Sequence, residues 1–216
     1  LSKIISLIPA RKGSKGIPNK NLINLCGKPL ISYAIEASKQ SAVDETWVSS
    51  DSDEILNVSK NLGAKTIKRP SKFSDDNATS ESALLHFAEK VDFNILVFIQ
   101  CTAPLIKYQD INKGIDKIKK FDSVLSVSET HQMFWDEKGP LYDINNRLRR
   151  QNSRKRYLET GSFFITSKKN LLKFKNRLSG NIGFVEIPKY RSFDIDNDND
   201  IKIVETIINS KMYNNE

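Results

Sequence analysis

Short apolar, β-rich runs alternate with stretches of helical periodicity through the first 127 residues, and this rhythm restricts the chain's fold more than any other feature. Lys3 to Pro9, Trp47 to Ser50, Lys65 to Lys68, Ile95 to Gln100 and Ser123 to Val127 read as strands. Between them, the pattern predicts helices over Pro29 to Gln40, from Asp51 onward, over Ala78 to Val91 and over Tyr108 to Lys120. In the first helix, Leu30, Ala34 and Ala37 recur at helical spacing behind Pro29, a residue suited to a helix's first position. Asp51-Ser-Asp-Glu supplies N-cap and first-turn acids for the second. Regular alternation of this kind builds βαβ units, so an α/β fold around a largely parallel sheet is expected.

The rhythm breaks between Ser128 and Glu159. That polar stretch carries Gly139-Pro140 and a basic cluster of Arg147, Arg149, Arg150, Arg154, Lys155 and Arg156, and it reads as an excursion from the sheet. Gly161 to Ile165 and Gly183 to Ile187 resume as strands around a helix over Lys168 to Phe174, and Asp200 to Asn209 forms a closing helix. A chain of 216 residues is long enough for one sizeable domain with a real core, so a single domain over 1–216 is expected, its excursion at about 129–160. The apolar run Ile4 to Pro9 is too short for a signal-peptide core, and no run is long enough to cross a bilayer. Two cysteines, Cys26 and Cys101, give neither a disulfide framework nor zinc spacing, which fits a reducing, cytoplasmic setting. The net charge of +8 suits an anionic partner. Nucleic acid is disfavoured because the basic cluster lacks the interleaved aromatic platform of single-strand binders.

Two groups of polar residues carry chemistry. Pro9-Ala-Arg-Lys-Gly-Ser-Lys-Gly16 follows the first strand, where open α/β sheets place ligand loops. Gly13 and Gly16 allow close backbone approach, so amide groups can point at phosphate oxygens, with Arg11, Lys15 and Lys20 supplying charge. The loop is neither a Walker loop nor a dinucleotide fingerprint, and by composition alone an ordinary surface loop is as good a reading. Asp194-Ile-Asp196 places two carboxylates at i and i+2, on one face of an extended segment, where both can reach one hard cation. The plainer alternative is an acidic turn capping the last helix, a role that suits Asp198 and Asp200.

The run Ile8-Pro-Ala-Arg-Lys-Gly-Ser-Lys-Gly-Ile-Pro-Asn-Lys-Asn-Leu22 resembles the N-terminal signature of the acylneuraminate cytidylyltransferases, the CMP-sialic acid synthetases. The resemblance continues in order through Val48-Ser-Ser-Asp51, Arg69-Pro70 with Ser74 to Ser80, Ile99 to Leu105, Arg149-Arg-Gln151, Glu159-Thr-Gly161 and Ser192 to Asp196. It implies a Rossmann-like fold of the nucleotide-diphospho-sugar transferase type, with a mixed, mostly parallel sheet and a protruding excursion. It also implies a Mg2+-dependent enzyme that couples CTP to a nonulosonic, sialic-acid-like sugar and releases pyrophosphate. The roles it implies are catalysis for Arg11, Lys20, Asp194 and Asp196, and metal binding for the two aspartates. Arg11, Ser14, Asn21, Arg69, Ala78 and Ser80 would hold CTP, with the Arg69 guanidinium facing the acceptor edge of cytosine. Gln100, Arg150, Thr160 and Phe164 would hold the sugar. The excursion matches the family's dimerisation element, so a homodimer is expected, with Phe134, Trp135 and Leu141 as apolar contacts or, alternatively, as a satellite core within one subunit.

This chain departs from the family pattern in the sugar half. Thr160 and Phe164 stand where members often have Asn and Tyr, and Ile106 replaces an Arg after the Pro-Leu pair. The identity of the nonulosonic acid is therefore open. The competing readings are a CMP-Kdo-type synthetase and a non-catalytic nucleotide- or nucleic-acid-binding module. No site role is assigned to Asp51, read as an N-cap at least as readily, to His86, read as packed or solvated, or to His131, which has no obvious partner in the sequence.

Overall fold

The computed structural model of the protein describes residues 2–14, 16–75, 78–147 and 149–214. Its strands are β1 (Ile4–Pro9), β2 (Asn24–Leu25), β3 (Lys28–Pro29), β4 (Glu45–Ser50), β5 (Lys65–Lys68), β6 (Ile95–Ile99), β7 (Ser123–Thr130), β8 (Trp135–Asp136), β9 (Gly139–Pro140), β10 (Arg156–Ser167) and β11 (Ile182–Glu186). Its α-helices are α1 (Leu30–Gln40), α2 (Asp53–Asn61), α3 (Ser80–Lys90), α4 (Tyr108–Lys117), α5 (Lys168–Phe174), α6 (Asp198–Ile208) and α7 (Lys211–Asn214). Seven strands form one sheet in the order β11-β7-β10-β6-β1-β4-β5, while β2 with β3 and β8 with β9 make small hairpins. Only β10 runs antiparallel to its neighbours in the large sheet. The expected mixed, mostly parallel α/β architecture is what the chain adopts.

Strand parity builds two cores from one sheet. Ile5 and Leu7 of β1 pack with Leu84 and Phe87 of α3 and Leu171 of α5. Ile4 and Ile8 face the other way, toward Ile31 and Ile35 of α1, Ile111 of α4 and Val204 of α6. A central strand covered on both faces must be apolar throughout, which is why Ile4 to Pro9 reads as a continuous run. Ser6 is the exception, and its hydroxyl lies 2.5 Å from that of Ser38 on α1.

Several boundaries differ from the pattern. β7 and β10 pair out to Thr130 and Arg156, so the excursion proper spans only 131–155. The first residues of β10 are exposed and offer no hydrophobic alternation by which to recognise them. Helix α2 starts at Asp53, and the Ser52 hydroxyl rather than Asp51 caps it by accepting from the Ile55 amide. Helix α6 starts at Asp198 behind an Asn197 cap. His86 is packed, as one reading had it, with its ring 5.2 Å from that of Phe73. His131 does have partners: Ser153 Oγ at 3.1 Å and Glu129 Oε1 at 3.0 Å.

The parallel strands β1, β4, β6 and β7 end on one edge of the sheet, and the loops after Pro9, Ser50 and Ile99 gather there. Such an edge is where open α/β sheets hold ligands. The β10 strand meets it at a register shift between Glu159 and Phe164, with Gly161 at φ +70°. A Cβ on Gly161 would also lie 2.6 Å from Gln100 Oε1, so only glycine suits both the backbone angle and the space.

Gly114 lets α4 approach β10. A Cβ there would stand 2.7 Å from Ile165 Cδ1 and 2.8 Å from Phe163 Cε2. Replacing a helical glycine with alanine gains about 1 kcal/mol of propensity, but overpacking a filled core costs about 1–3 kcal/mol. Gly114→Ala is expected to lower the denaturant midpoint in equilibrium unfolding. A raised midpoint would show that the helix moves away from the sheet at little cost.

Candidate active site

The loop after β1 is held by neighbouring elements. Asn21 is buried in the short 3-10 turn Lys20–Leu22, and its side-chain Nδ2 donates to the Arg11 carbonyl at 2.8 Å. The Lys12 amide donates to Asp51 Oδ1 at 2.8 Å, at the end of the adjacent strand β4. Arg11 Nη1 donates to the Asp75 carbonyl at 3.0 Å. The loop thus reaches its neighbours through both backbone and guanidinium.

The carboxylate pair arrives from the other end of the chain. After β11, Arg191 makes a buried, bidentate ion pair with Asp110 of α4, and the chain then continues without regular structure to Ile195. Ile195 is fully buried, its amide donates to the Thr102 carbonyl at 2.9 Å, and its carbonyl accepts from Lys20 Nζ at 2.8 Å. Lys20 Nζ also lies 3.0 Å from Asp196 Oδ1. Gly16 closes the contact: a Cβ there would be 2.3 Å from the Asp196 carbonyl. On the far side, Asp200 Oδ2 accepts from the amides of Asp196 and Asn197, both at 2.9 Å.

The two carboxylates differ in setting. The Asp196 side chain is 73% exposed and faces Lys20. Asp194 is half-buried, and its Oδ1 is buried with no hydrogen-bond partner among the described residues. Burial first, then the nearby Asp196 charge, pushes the Asp194 carboxyl above the usual carboxylate range, with Thr102 and Lys20 pulling the other way. A buried acceptor without a donor is what a cation would satisfy, and two hard oxygen groups suit Mg2+ completed by water and phosphate oxygens. Among the described residues no group of three or more His, Cys, Asp or Glu could hold a metal, so any such ion would depend on its substrate for part of its shell.

Two concavities flank the loop. One, of about 210 Å³, is lined by Pro9, Arg11, Gly13, Ser14, Lys20, Asn21, Ser80, Phe98, Gln100, Cys101 and Thr102. The other, of about 560 Å³, is lined by Lys12, Gly13, Ser14, Pro18, Asn19, Asp51, Ser71, Ser74 and Asp75. Gly13 and Ser14 form the wall between them. Volume alone does not pick out this region, since a cleft of about 540 Å³ lies between α1, the start of α4 and the C-terminal helices. What distinguishes it is convergence of cations, loop backbone and helix α3, whose N-terminal residue Ser80 lines the smaller cavity.

The structure brings together Arg11, Ser14, Lys20, Asn21, Ser80 and Gln100 around one cavity, with Asp194 and Asp196 at its Lys20 side. Ala78 is half-buried just before α3 and donates its amide to the Asp75 carbonyl. Arg69 is 5% exposed and lines neither cavity; its Nε is buried without a partner among the described residues. Burial lowers its pKa, and the Asp51 charge opposes that shift. Thr160 and Phe164 sit away from the cavity surface. The Thr160 hydroxyl is buried within 2.7 Å of Ser126 Oγ, and Phe164, 2% exposed, pairs with Phe98 across β6 and β10 and stacks on it at 5.6 Å. Strand register sets both positions, and single-residue spacing does not reveal register. Lys15 lies outside the described residues, as does the side chain of Arg150. The sequence reading assigned no role to Asp51, Phe98 or Thr102, although each lies at or just beyond the C-terminal end of a strand next to β1.

Three comparisons bear on this site. A family model described as Cytidylyltransferase matches residues 5–216. The chain is 38% identical over 212 residues to an N-acylneuraminate cytidylyltransferase B of Danio rerio, a match covering 93% of this chain and 50% of that protein. It is 28% identical to a pseudaminic acid cytidylyltransferase of Campylobacter jejuni, covering 95% of this chain and 96% of that one. It thus spans about half the length of the first of these relatives. In fold, it resembles a CMP:2-keto-3-deoxy-manno-octonic acid synthetase solved with CTP, with a TM-score of 0.77 at 19% identity over 96% of this chain and 98% of that one.

Because burial disfavours the charged form of Asp194, the folded state holds that proton more tightly than the unfolded state does. The resulting penalty is present above the raised folded pKa and disappears as pH falls through it. Asp194→Asn is therefore expected to raise the melting temperature at neutral pH, with the gap from wild type closing as the pH falls into the carboxylate range. A lower melting temperature at pH 7 would show that the carboxylate stabilises the fold.

Proposed function

The chain belongs to the cytidylyltransferase family, and on that premise we propose that it transfers the cytidylyl group of CTP to a nonulosonic, sialic-acid-like sugar, releasing pyrophosphate. The observation that carries this reading is the contact of Lys20 with Asp196 and the Ile195 carbonyl, which joins the cationic loop to the carboxylate pair. A polyphosphate and a cation-binding pair then share one cavity edge.

In the proposed reaction the anomeric hydroxyl oxygen of the sugar bonds to the α-phosphorus as the bond from that phosphorus to the bridging oxygen breaks. The hydroxyl proton passes to the Asp194–Asp196 pair, and pyrophosphate leaves. Positioning and charge neutralisation supply most of the rate gain. Arg11 and Lys20 supply positive charge, Ser14 and the loop amides cradle oxygens, and the N-terminal end of α3 at Ser80 adds a partial positive charge. Asn21 acts through the Arg11 carbonyl that it holds. A bound Mg2+ would neutralise phosphate charge and act as a Lewis acid, with Asp194 and Asp196 as its protein ligands.

Arg69 is assigned to the base edge, together with Ala78 and Ser80; its side chain is buried and lines neither cavity, so this role requires the guanidinium to turn toward the base. Gln100, seated over Gly161, is assigned to the sugar, with Arg150. Thr160 and Phe164 are assigned a supporting role beneath that pocket because of their burial. The excursion exposes Trp135, Leu141 and Ile144, each more than half accessible, and this supports a homodimer formed through it. Both cysteines are free, in keeping with a cytoplasmic setting. Among the described residues no helix is long and apolar enough to cross a membrane.

Incubation with CTP, Mg2+ and a panel of nonulosonic acids, with Kdo included, is expected to release pyrophosphate and form a CMP-sugar with one of the nonulosonic acids. Binding of CTP without release for any sugar would refute the catalytic reading, and preferential turnover of Kdo would shift the substrate class. Asp196→Asn is expected to lower kcat by about 100-fold or more. Its exposed side chain leaves the melting temperature nearly unchanged, so unfolding in step with the activity loss would count against the assignment.

A further inference from the structure

We infer that Asp51 is the positioning residue of the nucleotide loop, acting on it through the Lys12 amide. The inference rests on the proposed reading that this loop binds the phosphates of a cytidine nucleotide. The Arg11 carbonyl and the Lys12 amide belong to one planar peptide group. Asn21 Nδ2 donates to that carbonyl and Asp51 Oδ1 accepts from that amide, each at 2.8 Å. Holding both polar ends of one plane prevents the peptide from flipping. Arg11 on one side and Gly13-Ser14 on the other then leave the plane in set directions.

The loop needs such a device. Gly13 has nothing within 4 Å of where a Cβ would stand, so neither a side chain nor close packing limits its backbone there. Ordering a residue costs about 1–2 kcal/mol of backbone entropy, and a loop ordered before the ligand arrives does not pay that cost on binding. Hydrogen bonds from an amide to a carboxylate are among the stronger ones available for the purpose.

The alternative uses of this carboxylate are weaker. Capping α2 is done by Ser52, so Asp51 is not needed there. A negative charge lining a groove beside a polyanion site costs Coulombic energy, which is tolerable where the group holds the loop and its charge also favours the buried Arg69 cation. In the sheet, β4 lies next to β1, so the residue just past its end is well placed to reach the loop after β1.

The test is calorimetric titration of the wild type, Asp51→Ala and Asp51→Asn with cytidine, CMP and CTP, together with the amide proton signal and exchange rate of Lys12. Asp51→Ala is expected to weaken CTP binding about tenfold or more and to change cytidine and CMP binding less than twofold. Asp51→Asn keeps an acceptor oxygen and is expected to recover most of the CTP affinity, which keeps the idea testable if the alanine variant fails to fold. The Lys12 amide should be protected in the wild type and in Asp51→Asn, and exposed in Asp51→Ala. Equal losses for all three ligands would assign Asp51 to Arg69 and the base, overturning the loop role. Tighter CTP binding by both variants would make the carboxylate a mere repulsive charge, and an unprotected Lys12 amide in the wild type would likewise sink the inference. If the wild type binds no cytidine ligand, the functional reading fails, and the Lys12 amide alone decides whether Asp51 holds the loop.

Discussion

The candidate site depends on Ile195 being buried. Its side chain is a fully enclosed part of the larger core, its amide is bound to Thr102, and its carbonyl is bound to Lys20. The residues flanking it are Asp194, half-buried, and Asp196, exposed against Lys20, so the anchored isoleucine fixes the backbone from which both carboxylates project. Burial of one isoleucine side chain, worth roughly 1.5–3 kcal/mol, thereby stabilises a conformation that presents two carboxylates. Displacing Ile195 would release Lys20 and the pair together.

Around that anchor, the molecule balances charges before any ligand enters. Lys20 sits on Asp196, the Asp51 charge acts on the buried Arg69, and Asp110 accepts from both terminal nitrogens of Arg191. Breaking a buried pair is costly because it leaves a charge without compensation. The Arg191–Asp110 pair therefore ties the start of the Asp194–Asp196 segment to α4, while Asp200 holds its end. Within the carboxylate pair the imbalance is Asp194, whose Oδ1 is buried without a donor among the described residues. Strain of this kind at a cleft is more readily understood as reserved for a ligand than as a contribution to stability.

Much of the fold was legible because it follows local rules. The buried central strands are apolar on both faces, and helix α5 follows its periodicity to the residue over Lys168–Phe174. The end of β7 and the start of β10 were not legible, since Ser128 to Thr130 are polar though largely buried, the first residues of β10 are exposed, and their pairing is set across the chain. The Asp51 reading failed for a related reason. An acid ahead of a helix looks like a cap, and only the position of the Lys12 amide, 39 residues away, shows what it binds.

The sequence by itself determined the strand and helix alternation, the apolar character of the central strands, and the residue types of a phosphate loop and a carboxylate pair. These depend on periodicity and on side-chain chemistry, both carried within short windows. Tertiary structure alone decided which of those residues meet. It placed Lys20 on Asp196 across 176 positions, turned Phe164 under Phe98 through the antiparallel register, and assigned both ends of the Arg11–Lys12 peptide to Asn21 and Asp51. Register and loop closure are properties of the packed sheet, because each contact forms only once distant strands have been brought edge to edge.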